Sequence, residues 1–176
     1  MDPGFTAFDI TLRDGRAVHV RAVLPTDEDE FVQAFGRLSE DARYMRFMRY
    51  VREPNRERLR NALASFPEEG MGLVATVPAG DGFDIVASAV YLLEGDRSTC
   101  EFAITVASEF AGVGLASMLL SALIAEAKAH GLAEMDGFVL SANQPMLRLA
   151  RRLGFSIAPD PDDPTRRICR LRLGEG

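Results

Sequence analysis

Two glycines separated by one residue carry the clearest chemical signal in the chain. They lie in Ala111-Gly112-Val113-Gly114-Leu115-Ala116, between an alternating stretch that begins at Thr99 and a helical stretch that ends near Gly131. A glycine turn at a strand-to-helix junction lets the backbone approach a ligand closely. The first helical turn then presents unpaired N–H groups and about half a positive charge. That combination suits anions, phosphates above all. Other reactive side chains are few. Cys100 and Cys169 are the only cysteines, and His19 and His130 the only histidines. Neither a disulfide framework, nor a zinc site, nor a histidine-rich metal site is expected from them. Cys100 falls on the apolar side of its strand and reads as a buried thiol.

The elements that must position the turn can be read from periodicity. Cys100, Phe102, Ile104 and Val106 alternate with Glu101, Ala103 and Thr105, which predicts a strand. Leu115, Met118, Leu119 and Ala122 recur at helical spacing, with Gly131 as the stop. Upstream, residues 8–22 read as a hairpin turning at Asp14-Gly15. Thr26 is expected to cap a helix with an acidic first turn and an apolar stripe of Phe31, Ala34, Phe35 and Leu38. Ser39 starts a second helical segment, with Tyr44, Phe47, Met48 and Val51 as its stripe and Arg43, Arg46 and Arg49 on its flank. Those arginines have three readings: a solvated edge, a nucleic-acid contact, or the lining of a substrate cleft. Pro54 opens a third helix. Met71 to Val77 and Phe83 to Leu93 are strands joined through Pro78 to Gly82, the second apolar on both faces and therefore central. After the long helix come a strand near Met135 to Leu140 and a helix starting at Asn143-Gln144-Pro145. An acidic proline-rich loop from Pro159 to Pro164 precedes a final strand, Arg167 to Leu173, whose edge could pair with a second copy or be protected by its arginines. The order is β-β-α-α-α-β-β-β-α-β-α-β-β. It predicts a mixed α/β (α+β) domain with a mostly antiparallel central sheet of about seven strands and helices on both faces.

The chain has 176 residues, 47% hydrophobic and 26% charged, enough for one domain with a core of its own. A formal net charge of −6 disfavours broad binding to nucleic acid or anionic membranes. Apolar runs are too short to span a bilayer and no signal-peptide pattern opens the chain, so a cytoplasmic location is expected.

The strand, glycine turn, helix, strand and the segment Asn143 to Phe155 together resemble the GNAT family of N-acetyltransferases. The family motif [Gln/Arg]-x-x-G-x-[Gly/Ala] falls on Ala111 to Ala116, and N-x-x-[A/M]-x-x-L followed by G-F falls on Asn143, Met146, Leu149, Gly154 and Phe155. The runs L-R-D-G-R-A-V-H-V-R-A-V-L-P-T-D-E-D and L-S-E-D-A-R-Y-M-R-F are similar to the GNAT domain of bacterial protein lysine acetyltransferases. The likeness extends over nearly the whole chain, as one domain spanning residues 1–176. It implies a splay between the fourth and fifth core strands, the one ending at Val106 and the one ending near Leu140, with acetyl-CoA as cosubstrate lying in it and no metal. The backbone of Ile104 to Val106 would pair with the pantetheine arm. Amides across Gly112, Val113, Gly114, Leu115, Ala116 and Ser117 would hold the pyrophosphate, with Ala111 beside them at the cofactor. Asn143 and Met146 would contact the cofactor. Asn143 also reads as a helix N-cap.

The sequence departs from the family in three places. Ala111 replaces the motif's Gln or Arg, Val113 stands where a basic residue is common, and Ala150 stands where many members carry a tyrosine acid. Arg148 or Arg151 could compensate at the nucleotide end, or be ordinary surface arginines. Acetyl transfer needs a base to neutralise the attacking amine, a donor for the carbonyl oxygen and, in some enzymes, an acid for the thiolate. The resemblance makes Glu101 the base and a backbone N–H near Val106 the donor. The bland alternative for Glu101 is an exposed strand glutamate. Ser141 or water could serve as the acid. The expected acceptor is a primary amine, possibly a protein lysine. The rivals are a small-molecule amine, or a CoA-binding sensor or interaction module without turnover. A monomer and a homodimer are both compatible with the sequence.

Overall fold

The computed structural model describes residues 4–80 and 82–174. Its element order matches the predicted one. β1 (Phe8–Thr11) and β2 (Ala17–Ala22) form the first hairpin. α1 (Glu28–Arg37), α2 (Glu40–Phe47) and α3 (Arg56–Ser65) follow. Then come β3 (Gly70–Ala79), β4 (Gly82–Glu94), β5 (Thr99–Val106), α4 (Leu115–Ala129), β6 (Glu134–Leu140), α5 (Gln144–Arg152), β7 (Ser156–Asp160) and β8 (Asp163–Arg172). All eight strands join one sheet in the order β1-β2-β3-β4-β5-β6-β8-β7, against the roughly seven expected. Strand β4 is central, as its apolar faces predicted.

Every pairing is antiparallel except β5 with β6. That parallel pairing covers only Thr99–Glu101 against Glu134–Asp136. Beyond it the strands part, although β5 runs on to Val106 and β6 to Leu140. This is the predicted splay, between the fifth and sixth strands when the first hairpin is counted. A ring marks where it opens. A Cβ on Gly137 would meet the Phe102 ring at 2.3 Å, and Phe102 packs on Phe155 at 5.2 Å. Glycine at 137 therefore gives the Phe102 ring its place beside β6.

The core lies between the sheet and α4, whose Leu115, Leu119, Leu120, Leu123 and Ala127 are buried with Leu73, Ala75, Ala89, Phe102 and Met135. Alternation turns Val74 and Ile85 away from that cluster. They are buried, as are Phe35 of α1 and Leu63 of α3. Helix α1 packs on β4, and α2 on β5. No helix among the described residues is long and apolar enough to cross a membrane.

Five local expectations change. The helix that starts after Ser39 ends at Phe47, with Met48 as its left-handed cap, so Met48 and Val51 lie outside the stripe expected of it. Thr26 caps nothing: Pro25–Asp27 form a 3₁₀ turn, because the Asp27 carboxylate accepts the Leu24 N–H at 2.8 Å and pairs with both Arg21 Nη atoms at 2.8 Å. The third helix starts after Asn55, whose Oδ1 accepts the Arg58 N–H at 3.0 Å, rather than at Pro54. In the expected loop from Pro78 to Gly82, Ala79 already pairs with Gly82, and Asp81 lies outside the described residues. The proline-rich stretch from Pro159 to Pro164 is a tight hairpin instead of a loop. Asp160 accepts from Asp162 N at 2.9 Å, and Asp163 from Thr165 N at 2.9 Å, so aspartate side chains stand in for turn backbone. Consequently β8 is covered on both sides by β6 and β7 and offers no edge to a second copy.

Candidate active site

The splay opens into a cleft of about 370 Å³. Its floor is β5 from Glu101 to Val106, whose edge is free of β6 beyond Glu101. One wall is the glycine turn and the start of α4, and the other is the end of β6 with α5. Helix α2 closes one end through Ala42, Met45 and Arg46, with Met48 just beyond it.

Strand geometry fixes what the β5 edge offers. The Ala107 N–H donates to Val86 O on β4 at 2.9 Å. With a period of two, the main-chain groups of Ile104 and Val106 face away from β4, into the splay. β6 has already diverged, so nothing in the sheet pairs with them.

The glycine turn is equally open. Gly112 and Gly114 have φ of +74° and +91°, a region that side-chain-bearing residues rarely occupy. A Cβ on Gly112 would meet nothing within 4 Å. The backbone N–H groups of Gly112 through Ser117 have no acceptor among the described residues, and Gly114 caps α4 without a side-chain bond. Consecutive free amides at the N-terminus of a helix of fifteen residues fit a pyrophosphate. The Leu115 side chain is 1% exposed and belongs to the core, and the Val113 side chain packs against that core. Only their amides are available to a ligand. Ala111, Ala116 and Ser117 border the cleft, as do Met146 and Asn143. Asn143 caps α5, its Oδ1 accepting the Met146 N–H at 3.4 Å, and it also lines the cleft.

The titratable side chains among the lining residues are Arg13, Arg46, Glu101 and Arg152. Glu101 is thus the sole carboxylate there. Burial and the neighbouring Glu94 carboxylate push its pKa up, while Arg46 and Arg166 pull it down. The Arg46 guanidinium is pulled down by burial and pushed back up by Glu101. Of the three readings of the α2 arginines, cleft lining therefore holds for Arg46. Arg43 instead lies over the Phe35 ring at 4.4 Å and donates to Phe35 O at 3.2 Å. Beside Glu101 in the parallel register stands Asp136, pushed up to about 6 by burial and by Glu134, with Arg170 opposing.

Other candidates fall outside the cleft. Arg152, rather than Arg148 or Arg151, borders it. Ala150 is fully buried in the core. Ser141 is not among the lining residues, so the acid role considered for it has no support from position. Cys100 and Cys169 are buried thiols, pushed up by burial to about 12 and about 11. Among the described residues no cluster of three or more His, Cys, Asp or Glu could hold a metal. Of the charged lining residues, sequence reasoning missed Arg13 and Arg152. Arg13 sits in the L-R-D-G run, about a hundred residues before the turn it reaches, and no local pattern connects the two.

Comparison with known proteins agrees with this geometry. The profile of the acetyltransferase (GNAT) domain matches residues 18–156. An acetyltransferase of Pseudomonas aeruginosa is 32% identical over 163 residues, covering 93% of this chain and 88% of that protein. In three dimensions the GNAT domain of S. lividans PAT superposes with a TM-score of 0.84 at 22% identity, over 94% of this chain and 96% of that one. A GNAT-superfamily phosphinothricin acetyltransferase from Sinorhizobium meliloti, solved in complex with AcCoA, superposes at 0.70 with 19% identity, over 90% of each chain.

Proposed function

Because this chain belongs to the GNAT acetyltransferase family, we propose that residues 1–176 form one acetyl-CoA-dependent N-acetyltransferase domain whose acceptor is a protein lysine. The observation that carries the reading is the position of Glu101: the only carboxylate lining the cleft, on the strand whose free edge forms its floor.

The residues fit the cosubstrate. Free amides from Gly112 to Ser117 neutralise phosphate charge, and the unpaired groups of Ile104 and Val106 offer a partner strand to an extended amide-bearing arm. Bound there, acetyl-CoA supplies a thioester already activated for attack. The Val106 N–H, turned into the splay, is the donor for the carbonyl oxygen. Glu101 takes the proton from the incoming amine, directly or through one water. At pH 7 only about one in a few thousand free lysines is neutral, given a pKa of about 10.4, so this step is worth about 10²–10⁴-fold. The neutral amine attacks the thioester carbonyl, the C–N bond forms and the C–S bond breaks. No tyrosine, cysteine or histidine lines the cleft among the described residues, and the departing CoA thiolate takes its proton from water. The choice of lysine rests on the sequence resemblance to protein lysine acetyltransferases. The carboxylates Glu94, Glu101 and Asp136 at that end of the sheet also suit a cationic acceptor.

Glu101→Gln is the test. Turnover should fall by about 10²–10⁴-fold, while calorimetric titration with acetyl-CoA gives the wild-type affinity. Unchanged turnover at saturating substrate would remove Glu101 from the mechanism. Thioester consumption with small amines but not with lysine-bearing proteins would move the acceptor to a small molecule. Binding without turnover on either would leave a CoA-binding module.

A further inference from the structure

We propose that Arg13, from the β1–β2 hairpin, supplies the side-chain cation for the acetyl-CoA pyrophosphate, in place of the basic residues that the glycine turn lacks. The inference rests on the reading that this cleft takes acetyl-CoA.

The turn has no cation of its own: Ala111, Gly112, Val113 and Gly114 carry none. The hairpin brings one. Its tip is fastened to the turn at three points. The Arg13 N–H donates to Val113 O at 3.4 Å. The Arg16 Nη2 donates to Glu109 O at 2.6 Å, and the Arg16 guanidinium lies over the Phe110 ring at 3.9 Å. Fastened this way, Arg13 extends over Gly114. A Cβ there would stand 3.2 Å from its Nε and 3.4 Å from its Nη2. The missing side chain at Gly114 therefore serves two purposes, a φ of +91° and room for a guanidinium.

The two arginines of the tip differ in charge balance. Arg16 is neutralised by Asp14, whose carboxylate accepts its Nε at 2.7 Å. The Arg13 side chain is exposed, borders the cleft and has no hydrogen-bond or acidic partner among the described residues. An uncompensated guanidinium thus faces the run of free amides from Gly112 to Ser117. Amides and a planar fork together can hold two adjacent phosphate groups, which amides alone bind less tightly.

The experiment is calorimetric titration of the full chain with acetyl-CoA and with its 3′-dephospho analogue. It is run on wild type, Arg13→Met and Arg13→Lys, with the unliganded melting temperature of each. One charge-assisted contact corresponds to about 10- to 100-fold in affinity. Arg13→Met should weaken both ligands by that factor at an unchanged melting temperature, and Arg13→Lys should recover part of it. The salt dependence of binding should be shallower in Arg13→Met. Wild-type affinity in Arg13→Met overturns the assignment. A loss for acetyl-CoA alone, with the 3′-dephospho ligand unaffected, also overturns it, placing Arg13 at the 3′-phosphate. A loss that Lys does not relieve and that comes with a lower melting temperature makes Arg13 a structural clip only. If wild type itself binds neither ligand, the acetyl-CoA reading fails and this inference with it. Only that outcome touches both.

Discussion

Glu101 and Arg46 both line the cleft and act on each other's charge, so on the proposed reading of Glu101 as the base they set the pH at which it is active. A base must be ionised, so activity falls as pH drops through the Glu101 pKa. Burial and Glu94 raise that pKa above the ordinary carboxylate value, and Arg46 holds it down. Removing the cation with Arg46→Met should therefore move the acid limb of kcat/KM to higher pH. Removing the like charge with Glu94→Gln should move it lower. A pH–rate profile of the three proteins checks the signs. A limb that moves in neither variant would mean that another group controls it. Of these side chains, Glu101 is legible in the sequence because it is the only acid in its strand. Arg46 is one of three equivalent arginines until α2 is laid over β5.

The splay is a property of elements, made by a pair of residues that do no chemistry. Pairing of β5 with β6 stops after Glu101 and Asp136. The next position places the Phe102 ring against Gly137, where any Cβ would fall 2.3 Å from it. Gly137→Ala should force the ring or β6 to move. It is expected to cost about 1–3 kcal/mol, the usual range for overpacking, read as a lower midpoint in urea. A midpoint equal to that of wild type would show that the ring has free space to turn into. Because the cleft starts at that ring, weaker acetyl-CoA binding should accompany the loss. The same scale explains the corrected hairpin between β7 and β8. Proline and aspartate composition reads as a loop, but Asp160 and Asp163 close their own turns with side-chain oxygens. The edge predicted at β8 is then occupied by β7.

At the scale of the whole molecule, the carboxylates gathered near the β5–β6 pairing carry a stability cost. Asp136 lies between Glu134 and the Glu94–Glu101 pair. Its Oδ1 is buried without a hydrogen-bond partner, 3.6 Å from Arg170 Nε. Its pKa rises from 3.8 to about 6 in the fold. The folded state therefore holds that proton more tightly than the unfolded chain. Stability is present below the unfolded value and is lost as pH rises through the window up to the folded one. Asp136→Asn should flatten the stability curve in that window and raise stability at pH 7 by about 1–3 kcal/mol. Urea unfolding of both proteins at pH 4 and pH 7, taken as roughly the two ends of the window, makes the comparison. Equal stability at pH 7 would mean that Arg170 already cancels the penalty.

The sequence by itself determined the order of the elements, the glycine turn and the single acid of β5. These are local matters: alternation, helical spacing and glycine conformation act over a few residues. Family resemblance then attached the splay and acetyl transfer to them. The tertiary structure decided what meets across long sequence separations. It buried the side chain of Leu115 while freeing its amide, because the first turn of α4 borders the cleft on one side and faces the core on the other. It placed β8 inside the sheet and brought Arg46 into the cleft that Glu101 lines. It brought Arg13 over Gly114, since a contact between residues about a hundred positions apart depends on how a hairpin docks, which no periodicity records.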